Sequence, residues 1–480
     1  MIDPMAGKFR ALIAALVVLI VALCGALYVG AHNLSAPSPH SQLSVSVGDA
    51  SFGSGAFTDS DTQPANLFDK ALTRLDTEYY KPFDPQAPFR GEAQALEKYL
   101  RSNHVVRPSL PSEFASGDPT QDAQRLASVV DYAQHTYGKH LGADATTNLT
   151  EVALSGVMNS VQDPYTVYLT PKEIESLNES LNGGDFGGVG VYIYQLKDGD
   201  VLLQPIDGAP AANAGVKPGA IVDTVDGRHA HGVPLDVVEH WIRGPEGSRV
   251  VLTTHPYKAN ETTFSGPEQR YTITRAIIHV PTVMKKMEGG YEYIRLTDFG
   301  STSAAEVKSA LLYGKAHNAK GYILDLRYNG GGLVDAAVKI SSLFIPQGTI
   351  VSTIDRDGHR QVEEALGNAI GGVQPLVILV NKYTASASEI TAGALQDYHL
   401  AKIIGTKTFG KGVVQSIYDM PDGGALKITT ARYLTPLGRE IQHKGIVPDV
   451  VVTQNDSIPL DSPGDKQLAA AKAQLAQLLR

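Results

Sequence analysis

The stretch Gly321-Tyr-Ile-Leu-Asp-Leu-Arg-Tyr-Asn-Gly-Gly-Gly332 decides the fold class of this chain. Its first half is a continuous apolar run, which is typical of a strand buried on both faces of a sheet. A second run of the same kind, Pro375-Leu-Val-Ile-Leu-Val380, lies downstream. Each run leads through a polar turn into a predicted helix, which spans Asp335 to Phe344 after the first run. The two segments therefore predict βα units of a layered α/β domain.

Both predicted turns hold candidate chemistry. The three glycines from Gly330 to Gly332 follow a buried strand and let backbone N–H groups approach an anion or an oxyanion closely. A flexible turn would explain the same glycines. The second turn, Asn381-Lys-Tyr-Thr-Ala-Ser-Ala-Ser-Glu389, surrounds a serine hydroxyl with small residues at the start of a helix. By itself this signal is weak, because serine and threonine are also common helix caps.

A third segment, Gly405-Thr-Lys-Thr-Phe-Gly-Lys-Gly412, has the spacing of a phosphate-binding loop. That loop requires a Ser or Thr where Gly412 stands, and the residues after it favour a strand and not a helix. The nucleotide interpretation is therefore rejected. In an extended segment Lys411 and Gln415 would point to the same face, because strand side chains alternate with period two.

The chain has no G-x-S-x-G elbow, no H-E-x-x-H helix and no Ser-x-x-Lys at the serine cluster. No histidine lies within these three segments, and His443, which precedes Lys444, is the histidine considered as an alternative base. A nucleophilic serine without a histidine needs another base, and a buried lysine can serve because desolvation disfavours its charged form. This reasoning pairs Ser386 with Lys411.

Composition excludes several other classes of protein. The 480 residues include 41 Lys and Arg against 50 Asp and Glu, a net charge of -9, which argues against a nucleic-acid partner. The single cysteine, Cys24, excludes an intramolecular disulfide and a cysteine-rich zinc site. We expect no metal and no cofactor.

The amino-terminal residues predict export. Residues 11–30 carry no charge and follow Lys8 and Arg10, and no further Lys or Arg occurs before Lys70. A run of about 20 apolar residues can cross a membrane, and the positive-inside rule leaves the rest of the chain outside the cytoplasm. Residues 1–30 are either a signal anchor or a signal peptide cleaved near Val29-Gly30-Ala31. The length of the apolar run favours the anchor, so the expected location is the bacterial cell envelope or periplasm.

The remaining chain divides into five predicted segments. Residues 31–63 are rich in Ser, Gly, Pro and Asp and predict a flexible linker. A helical region over 64–181 precedes a β-rich domain over 182–277, whose short strands are interrupted by one helix at Leu235–Ile242. The layered core covers 278–453. Residues 454–480 form a carboxyl-terminal helix that packs within the chain or pairs two subunits into a homo-oligomer.

Several motifs, in order along the chain, resemble the carboxyl-terminal processing peptidases, or tail-specific proteases, a family of PDZ-containing serine-lysine peptidases. The resemblance covers about residue 123 to the end and leaves 64–115 without a clear counterpart. The motifs are Asp163-Pro-Tyr-Thr-Val-Tyr-Leu-Thr170, Phe186-Gly-Gly-Val-Gly190, Ile221-Val-Asp-Thr-Val-Asp-Gly227, Ile242-Arg-Gly244, Leu324-Asp-Leu-Arg327, Ala385-Ser-Ala-Ser-Glu389, Thr408-Phe-Gly-Lys-Gly412, Thr429-Thr-Ala-Arg-Tyr433 and Gly445-Ile-Val-Pro-Asp449.

The resemblance implies a multidomain α+β protein with a PDZ-like domain and a layered α/β core of the ClpP/crotonase type. It implies Ser386 as nucleophile, Lys411 as general base and Gln415 as the residue that positions the lysine. The implied oxyanion hole combines the N–H of Ala387 with one from Gly331 or Gly332. Two positions depart from the family pattern, Thr384 in place of a serine and Gly330 in place of a proline.

The PDZ-like segment implies how substrate is recognised. Its loop, formed by Phe186, Gly187, Gly188, Val189 and Gly190, would bind a free carboxyl terminus through backbone N–H groups, and Arg243 is a candidate for gating. A β-turn that caps an ordinary barrel is the alternative for this loop. The predicted function is an extracytoplasmic, membrane-tethered endopeptidase that recognises protein or peptide carboxyl termini and cleaves through an acyl-enzyme. The alternative function is a catalytically silent PDZ scaffold.

Overall fold

A computed structural model describes residues 62–141, 145–181, 186–196, 198–206, 208–256, 267–456 and 458–480. The predicted anchor or signal peptide and nearly all of the predicted linker lie outside these residues. Among the helices of the described ranges, none combines the length and the apolar character needed to span a membrane. The chain forms two compact units, one from residues up to Leu181 together with Thr282–Arg480, the other from Asn182–Pro281.

The first unit begins with four helices, α1 (Pro64–Glu78), α2 (Ala87–Ser102), α3 (Pro119–Leu141) and α4 (Ala145–Asn159), followed by β1 (Val167–Leu169) and α5 (Pro171–Leu181). The apolar stripe of α1, with Leu67, Ala71 and Leu75, packs into a core shared by the first four helices. Helices α2 and α4 approach closely at Gly91 and Gly156, where a Cβ on either glycine would meet the backbone of the other within 2.4 Å.

The second unit is an antiparallel β domain with its own core. Its elements are β2 (Phe186–Gly188), β3 (Val191–Gln195), β4 (Val201–Pro205), α6 (Pro210–Asn213), β5 (Ala220–Val225), β6 (Arg228–His229), α7 (Leu235–Ile242), β7 (Arg249–Pro256), β8 (Gln269–Thr274) and β9 (Ala276–Ile278). The main sheet has the order β3-β4-β5-β7-β8, with β6 on β5, and β2 pairs separately with β9. Helix α7 contributes Val238 and Ile242 to the core.

The first unit then resumes with its two sheets. The elements are β10 (Val283–Glu288), β11 (Tyr291–Leu296), α8 (Ser303–Ala316), β12 (Tyr322–Asp325), α9 (Val334–Ser342), β13 (Thr349–Ile354), β14 (Arg360–Glu364), β15 (Leu376–Val380), α10 (Ala387–Asp397), β16 (Ala401–Gly405), β17 (Val413–Asp419), β18 (Ala425–Leu434), β19 (Val450–Val451) and α11 (Lys466–Leu478).

The central sheet has the order β10-β11-β12-β15-β16-β19 and is parallel from β11 to β19. Alternate side chains of its strands belong to different cores. Leu324, Ile378 and Ile403 share a core with residues of α9 and α10, whereas Ile323, Val377 and Ile404 pack with Leu468, Ala471 and Leu475 of α11. The sheet is therefore covered on both faces, as its continuous apolar strands predict. The expected multidomain α+β class is confirmed.

The second sheet joins the amino-terminal helices to this core. Strand β1 pairs with β18 at Val167↔Lys427, in a sheet of order β1-β18-β13-β14 that also holds β17. Met420, Leu426 and Ile428 bury their side chains against the first four helices. The segments predicted as separate regions over 64–181, 278–453 and 454–480 thus share one compact unit, because β1 and α11 complete its sheets and cores.

Candidate active site

The two βα turns lie at the same edge of the central sheet. Strands β12 and β15 are parallel neighbours, with Asp325 opposite Leu379, so the chain leaves both strands at their carboxyl ends side by side. In open α/β sheets this edge is where ligands bind. The turn after β12 contains Asn329 to Gly332, and the turn after β15 ends at Ser386, which caps α10.

Ser386 is distinguished by its burial, its backbone conformation and its hydroxyl group. It is fully buried, and its backbone has φ 60° and ψ -118°, a conformation that costs a non-glycine residue about 1–3 kcal/mol. Its N–H donates to Glu389 Oε2 at 2.8 Å. Its hydroxyl has no hydrogen-bond partner within the described part of the chain. A buried hydroxyl without a hydrogen-bond partner lowers the stability of the folded protein. Its presence therefore indicates a role other than stabilisation.

The neighbouring serine is different. Ser388 is equally buried, but its hydroxyl donates to the carbonyl of Asn329 at 3.1 Å. Its hydroxyl therefore ties the start of α10 to the turn after β12. The structure thus distinguishes a structural serine, Ser388, from one with a free hydroxyl, Ser386.

Lys411 lies in the segment before β17 and is 1% exposed. Burial, followed by the nearby charge of Lys427, lowers the pKa of Lys411 to about 7, while Asp163 and Glu389 act in the opposite direction. Its Nζ lies 4.6 Å from the centroid of the Tyr165 ring. A substantial fraction of this amine is therefore neutral at neutral pH, as a general base requires.

Glu389 holds Ser386 and Lys411 on one carboxylate. Its Oε2 accepts the N–H of both residues, at 2.8 and 2.9 Å, and its Oε1 accepts the N–H of Gly410 and the hydroxyl of Thr408. Burial raises the pKa of Glu389 to about 7, although these hydrogen bonds oppose the shift. No role for Glu389 was predicted from the sequence. The signal that could have found it is its position three residues after Ser386, which is the spacing of a capping box.

Tyr433 makes a second connection that no local pattern indicates. Its hydroxyl donates to the carbonyl of Lys411 and lies 3.1 Å from the carbonyl of Ser386. It is fully buried on β18. Glu389 and Tyr433 both connect the backbones of Ser386 and Lys411. Glu389 accepts from their N–H groups, and Tyr433 contacts their carbonyl groups.

Tyr165 reaches Lys411 because its segment is fastened to β18. Asp163 accepts the Thr166 hydroxyl at 2.8 Å, and Thr166 Oγ1 accepts the N–H of Thr429 at 3.1 Å. The motif around Asp163 was recognised only as part of a family resemblance. In the structure it brings an aromatic ring to the candidate base.

Gln415 is buried but does not contact Lys411 through its carbonyl. Its Nε2 lies 3.3 Å from Thr429 Oγ1, and its Oε1 is buried with no hydrogen-bond partner in the described residues. Strand β17 begins at Val413, and its pairing with β18 shifts register between Val414 and Gln415, so a common face for Lys411 and Gln415 stays a prediction. Gln415 Oε1 remains an acceptor available to a nearby donor.

Two glycines of the turn after β12 differ in the hydrogen bonds of their N–H groups. The N–H of Gly331 donates to Asn329 Oδ1 at 2.9 Å, whereas the N–H groups of Gly332 and Ala387 have no acceptor among the described residues. Gly331 has φ 112°, and a Cβ there would lie 2.7 Å from Ser386 Cβ and 3.0 Å from the Ala387 nitrogen. The turn therefore lies directly against the nucleophile candidate. Gly332 and Ala387 offer the two unused donors.

The two departures from the family pattern leave the turns well ordered. Thr384 is buried, and its hydroxyl donates to the Leu326 carbonyl and accepts the N–H of Asn381, both at 2.9 Å. It therefore ties the ends of β12 and β15 together. Asn329, beside Gly330, anchors the glycine turn because its Nδ2 donates to the Leu296 carbonyl at 2.9 Å.

The predicted carboxylate loop lies in the second unit. Phe186, Gly187 and Gly188 form β2, and the N–H groups of Val189 and Gly190 have no acceptor in the described ranges. Gly190 has φ 72°. The guanidinium of Arg243 lies 4.2 Å from the centroid of the Phe186 ring and pairs with Glu239. Arg243 thus contacts the start of the loop.

Other candidate groups lie elsewhere. His443 is exposed, and no histidine of the described residues is among the buried polar side chains. Among the described residues, one cluster could hold a metal ion, Asp355, Asp357 and His359 in the turn between β13 and β14. None of these three residues belongs to the Ser386 site.

The segment after Gly412 forms β17, which is a strand and not a helix. This agrees with the rejection of the nucleotide-binding interpretation.

A buried serine at a helix start beside a lysine of lowered pKa defines a class of hydrolase, the serine peptidases. Comparison with known proteins agrees. The profile of peptidase family S41 matches residues 290–452. A protein of Staphylococcus epidermidis described as a probable CtpA-like serine protease is 35% identical over 352 residues, which cover 73% of this chain and 70% of the relative.

Two solved structures are also similar. A photosystem II D1 C-terminal processing protease has 28% identity and a TM-score of 0.43, with 82% of this chain and 93% of that chain covered. A PDZ domain of a Vibrio cholerae carboxy-terminal protease has 26% identity and a TM-score of 0.18, with 20% and 99% covered. On its sequence similarity the chain belongs to peptidase family S41 and is a carboxyl-terminal processing peptidase of the serine type. The predicted family and enzyme class are confirmed.

Proposed function

We propose that this protein is an extracytoplasmic endopeptidase that recognises the carboxyl termini of protein substrates and cleaves them through a Ser386–Lys411 acyl-enzyme mechanism. The observation that carries the proposal is the shared carboxylate of Glu389. It holds the backbones of a serine with a free buried hydroxyl and a lysine whose pKa is about 7. Few arrangements other than a serine-lysine dyad use these features together.

The first half of the reaction forms an ester. Neutral Lys411 Nζ takes the proton from Ser386 Oγ as the oxygen attacks the scissile carbonyl carbon and forms a C–O bond. The carbonyl oxygen becomes an oxyanion, which the N–H groups of Ala387 and Gly332 stabilise. The intermediate collapses, the C–N bond breaks, and the Lys411 ammonium returns its proton to the leaving amine.

The second half reverses these roles with water. Lys411, neutral again, takes a proton from a water molecule that attacks the ester carbonyl. Collapse of the second intermediate breaks the ester bond and returns the proton from Lys411 to Ser386 Oγ, which leaves a free carboxylic acid. Ser386 Oγ has no hydrogen-bond partner among the described residues. We therefore propose that substrate binding brings the Lys411 amine to the hydroxyl, and Gln415 Oε1 is the acceptor that would hold it there.

Tail recognition is assigned to the second unit. The free N–H groups of Val189 and Gly190, following the strand Phe186–Gly188, suit a substrate carboxylate, and the strand after the loop can pair with an extended peptide. Arg243 is proposed as a gating residue because it contacts the Phe186 ring at the start of this loop. The uncharged segment at residues 11–30 supports export and membrane attachment.

The test replaces each of the two buried serines. Ser386→Ala should abolish cleavage of an unfolded protein, with a loss of at least about 10³-fold, because no nucleophile remains. Ser388→Ala should retain cleavage, since it loses only a hydrogen bond to the Asn329 carbonyl. Lys411→Met, which keeps most of the side-chain volume, should be as inactive as Ser386→Ala.

Circular dichroism and thermal unfolding serve as folding controls for all three variants. Loss of activity in Ser388→Ala with retention in Ser386→Ala would reverse the assignment of the nucleophile. A wild-type protein that binds substrate tails but never cleaves them would instead favour a catalytically silent scaffold.

A further inference from the structure

A cavity far along the sequence from the catalytic residues lies among the amino-terminal helices. It has a volume of about 310 Å³ and is lined by one side of α2, by residues 108 and 110–114, and by Val129 of α3. This volume is in the range of small-ligand pockets. The loop that covers it is firmly placed: Gln86 Nε2 donates to the Glu113 carbonyl, and Gln86 Oε1 accepts the N–H of Ala115.

The lining combines apolar and polar side chains. Phe89, Ala93, Leu110 and Val129 form walls. The charged lining residues are Arg90, Glu92 and Glu97 of α2 and Glu113 of the covering loop. Arg90 is paired with Asp84 at 2.6 Å and Glu97 with Arg101. Helix α3 contributes only Val129, and α4, which packs on α2, contributes no lining residue.

Glu92 is the unusual member of this set. It is 1% exposed, and its Oε1 has no hydrogen-bond partner in the described structure. Burial, followed by the nearby Glu113 charge, raises the pKa of Glu92 well above its usual value. A buried carboxyl oxygen without a partner among the described residues is destabilising, so a hydrophobic residue would fit the folded helix better. The carboxyl is therefore poised for a group that the free protein does not supply.

We propose that this cavity binds the side chain of a lysine presented by a protein partner, with the ammonium group on Glu92 and the alkyl chain against the apolar walls. The chemistry is complementary because Glu92 and Glu113 supply two carboxyls for one cation, and Arg90 is already paired with Asp84. A protein source is favoured over a free amine because Phe114, at the cavity, exposes 64% of its surface and would be covered by a partner backbone.

Binding is accompanied by loss of a proton. In the free protein Glu92 holds its proton, and an ammonium group in contact with it favours the carboxylate, so the proton passes to solvent while the ligand keeps its charge. At a pH below the raised pKa of Glu92, where the free carboxyl is protonated, we expect up to one proton to be released per ligand, and the release should fall as the pH rises through that pKa.

The experiment titrates the full chain with Nα-acetyl-lysine methylamide by calorimetry, in buffers of different ionisation enthalpy. The matched neutral ligand is Nα-acetyl-norleucine methylamide, which lacks the amine. We expect the lysine compound to bind at least about tenfold more tightly than the norleucine compound, with proton release. Glu92→Gln should weaken lysine binding by about tenfold or more and abolish the proton release. Glu97→Gln, on the same helix, should change binding less than about threefold.

Peptidase activity of each variant is the folding control, because Glu92 and Glu97 take no part in the catalytic reaction described above. Glu92→Leu provides a second variant that removes the unsatisfied group and should also lose binding. The proposal is overturned if the two ligands bind equally, if Glu92→Gln binds as well as the wild type, or if no proton is released. Tighter binding of free pentylamine than of the lysine compound would overturn the assignment to a protein partner.

Discussion

The Lys411 amine determines the pH range in which the site can work. Its pKa is lowered to about 7 because a buried ammonium loses its hydration and is repelled by Lys427. A free lysine titrates near about 10.4 and would be almost wholly protonated at neutral pH. The burial of Lys411 therefore gives this amine a pKa suited to the proposed general base.

The first prediction at this scale concerns the pH profile. Because the neutral amine is the active form, kcat/KM should rise with pH through an apparent pKa of about 7 and then level off. This range overlaps that of histidine, near about 6.5, so the position of the limb alone does not identify the base. The measurement is a pH profile of the wild type beside His443→Gln.

The two profiles should coincide, since His443 is exposed and makes no contact with the Ser386 hydroxyl. Disappearance of the acidic limb in His443→Gln would show that histidine, and not Lys411, is the base.

A second residue-scale prediction concerns Tyr165, a positioning residue. The face of an aromatic ring stabilises an ammonium by about 0.5–2 kcal/mol, so the ring at 4.6 Å supports the protonated form of Lys411. Tyr165→Leu should therefore lower the apparent pKa of the acidic limb by about half a unit or more. Tyr165→Phe retains the ring and should leave the limb in place. The readout is again the pH profile of kcat/KM.

A shift of equal size in both variants would assign the effect to the Tyr165 hydroxyl and contradict the ring interaction. A higher apparent pKa in Tyr165→Leu would mean that exclusion of water, and not the ring face, is what the residue contributes.

At the scale of elements, the catalytic edge depends on how the ends of the strands are fastened. Arg327, just after β12, is fully buried and pairs with Asp325 at 2.6 Å and with Asp465, the cap of α11, at 2.8 Å. The same strand end continues into the glycine turn beside Ser386. Helix α11 thus packs within the chain, which is one of the two roles expected for this helix. Through Asp465 it also helps to set the position of that turn.

The element-scale prediction is that Asp465→Asn destabilises the protein by about 3 kcal/mol or more, because breaking a buried ion pair leaves an incompletely compensated charge. Urea unfolding measures the change in the free energy of unfolding. Lys339→Gln, which removes an exposed pair with Asp335, is the matched control and should cost about 1 kcal/mol or less. Equal effects of the two substitutions would mean that the Arg327 cluster contributes no more than a surface pair.

At the scale of the whole molecule, the candidate carboxylate loop and the candidate catalytic residues lie in different units. The second unit has its own hydrophobic core and holds the candidate carboxylate loop, whereas Ser386 and Lys411 lie in the first unit. This division allows binding to be measured without cleavage, in the full chain carrying Ser386→Ala.

The molecule-scale prediction compares a free and an amidated carboxyl terminus. Amidation removes the charge that strengthens hydrogen bonds from the loop N–H groups, at a cost of about 1.5–3 kcal/mol, so affinity for the amidated peptide should fall about tenfold or more. Fluorescence anisotropy of labelled peptides on the Ser386→Ala chain measures this. Equal affinities for the two peptides would remove the carboxylate loop from the proposal.

Local sequence predicted the parts of this protein whose signal is short-range. The buried strands, the helix at Leu235–Ile242 and the start of α1 at Pro64 follow from hydrophobic periodicity and from proline and glycine positions. The family motifs singled out Ser386, Lys411 and Gln415. In the structure all three are fully or almost fully buried. These features are each decided by residues close together in the chain.

The tertiary structure decided which groups meet. Glu389 and Tyr433 join Ser386 to Lys411, and Tyr165 reaches Lys411. Apart from the capping-box spacing of Ser386 and Glu389, these contacts join residues far apart in the sequence, and no periodic pattern reports them. The N–H of Gly331 donates to Asn329, which leaves Gly332 as the donor without an acceptor among the described residues, and the pairing of β17 with β18 shifts register at Gln415. Sequence determined the elements because propensity and periodicity act locally, while the unsatisfied groups at Ser386 and Glu92 arise only when those elements pack and exclude water.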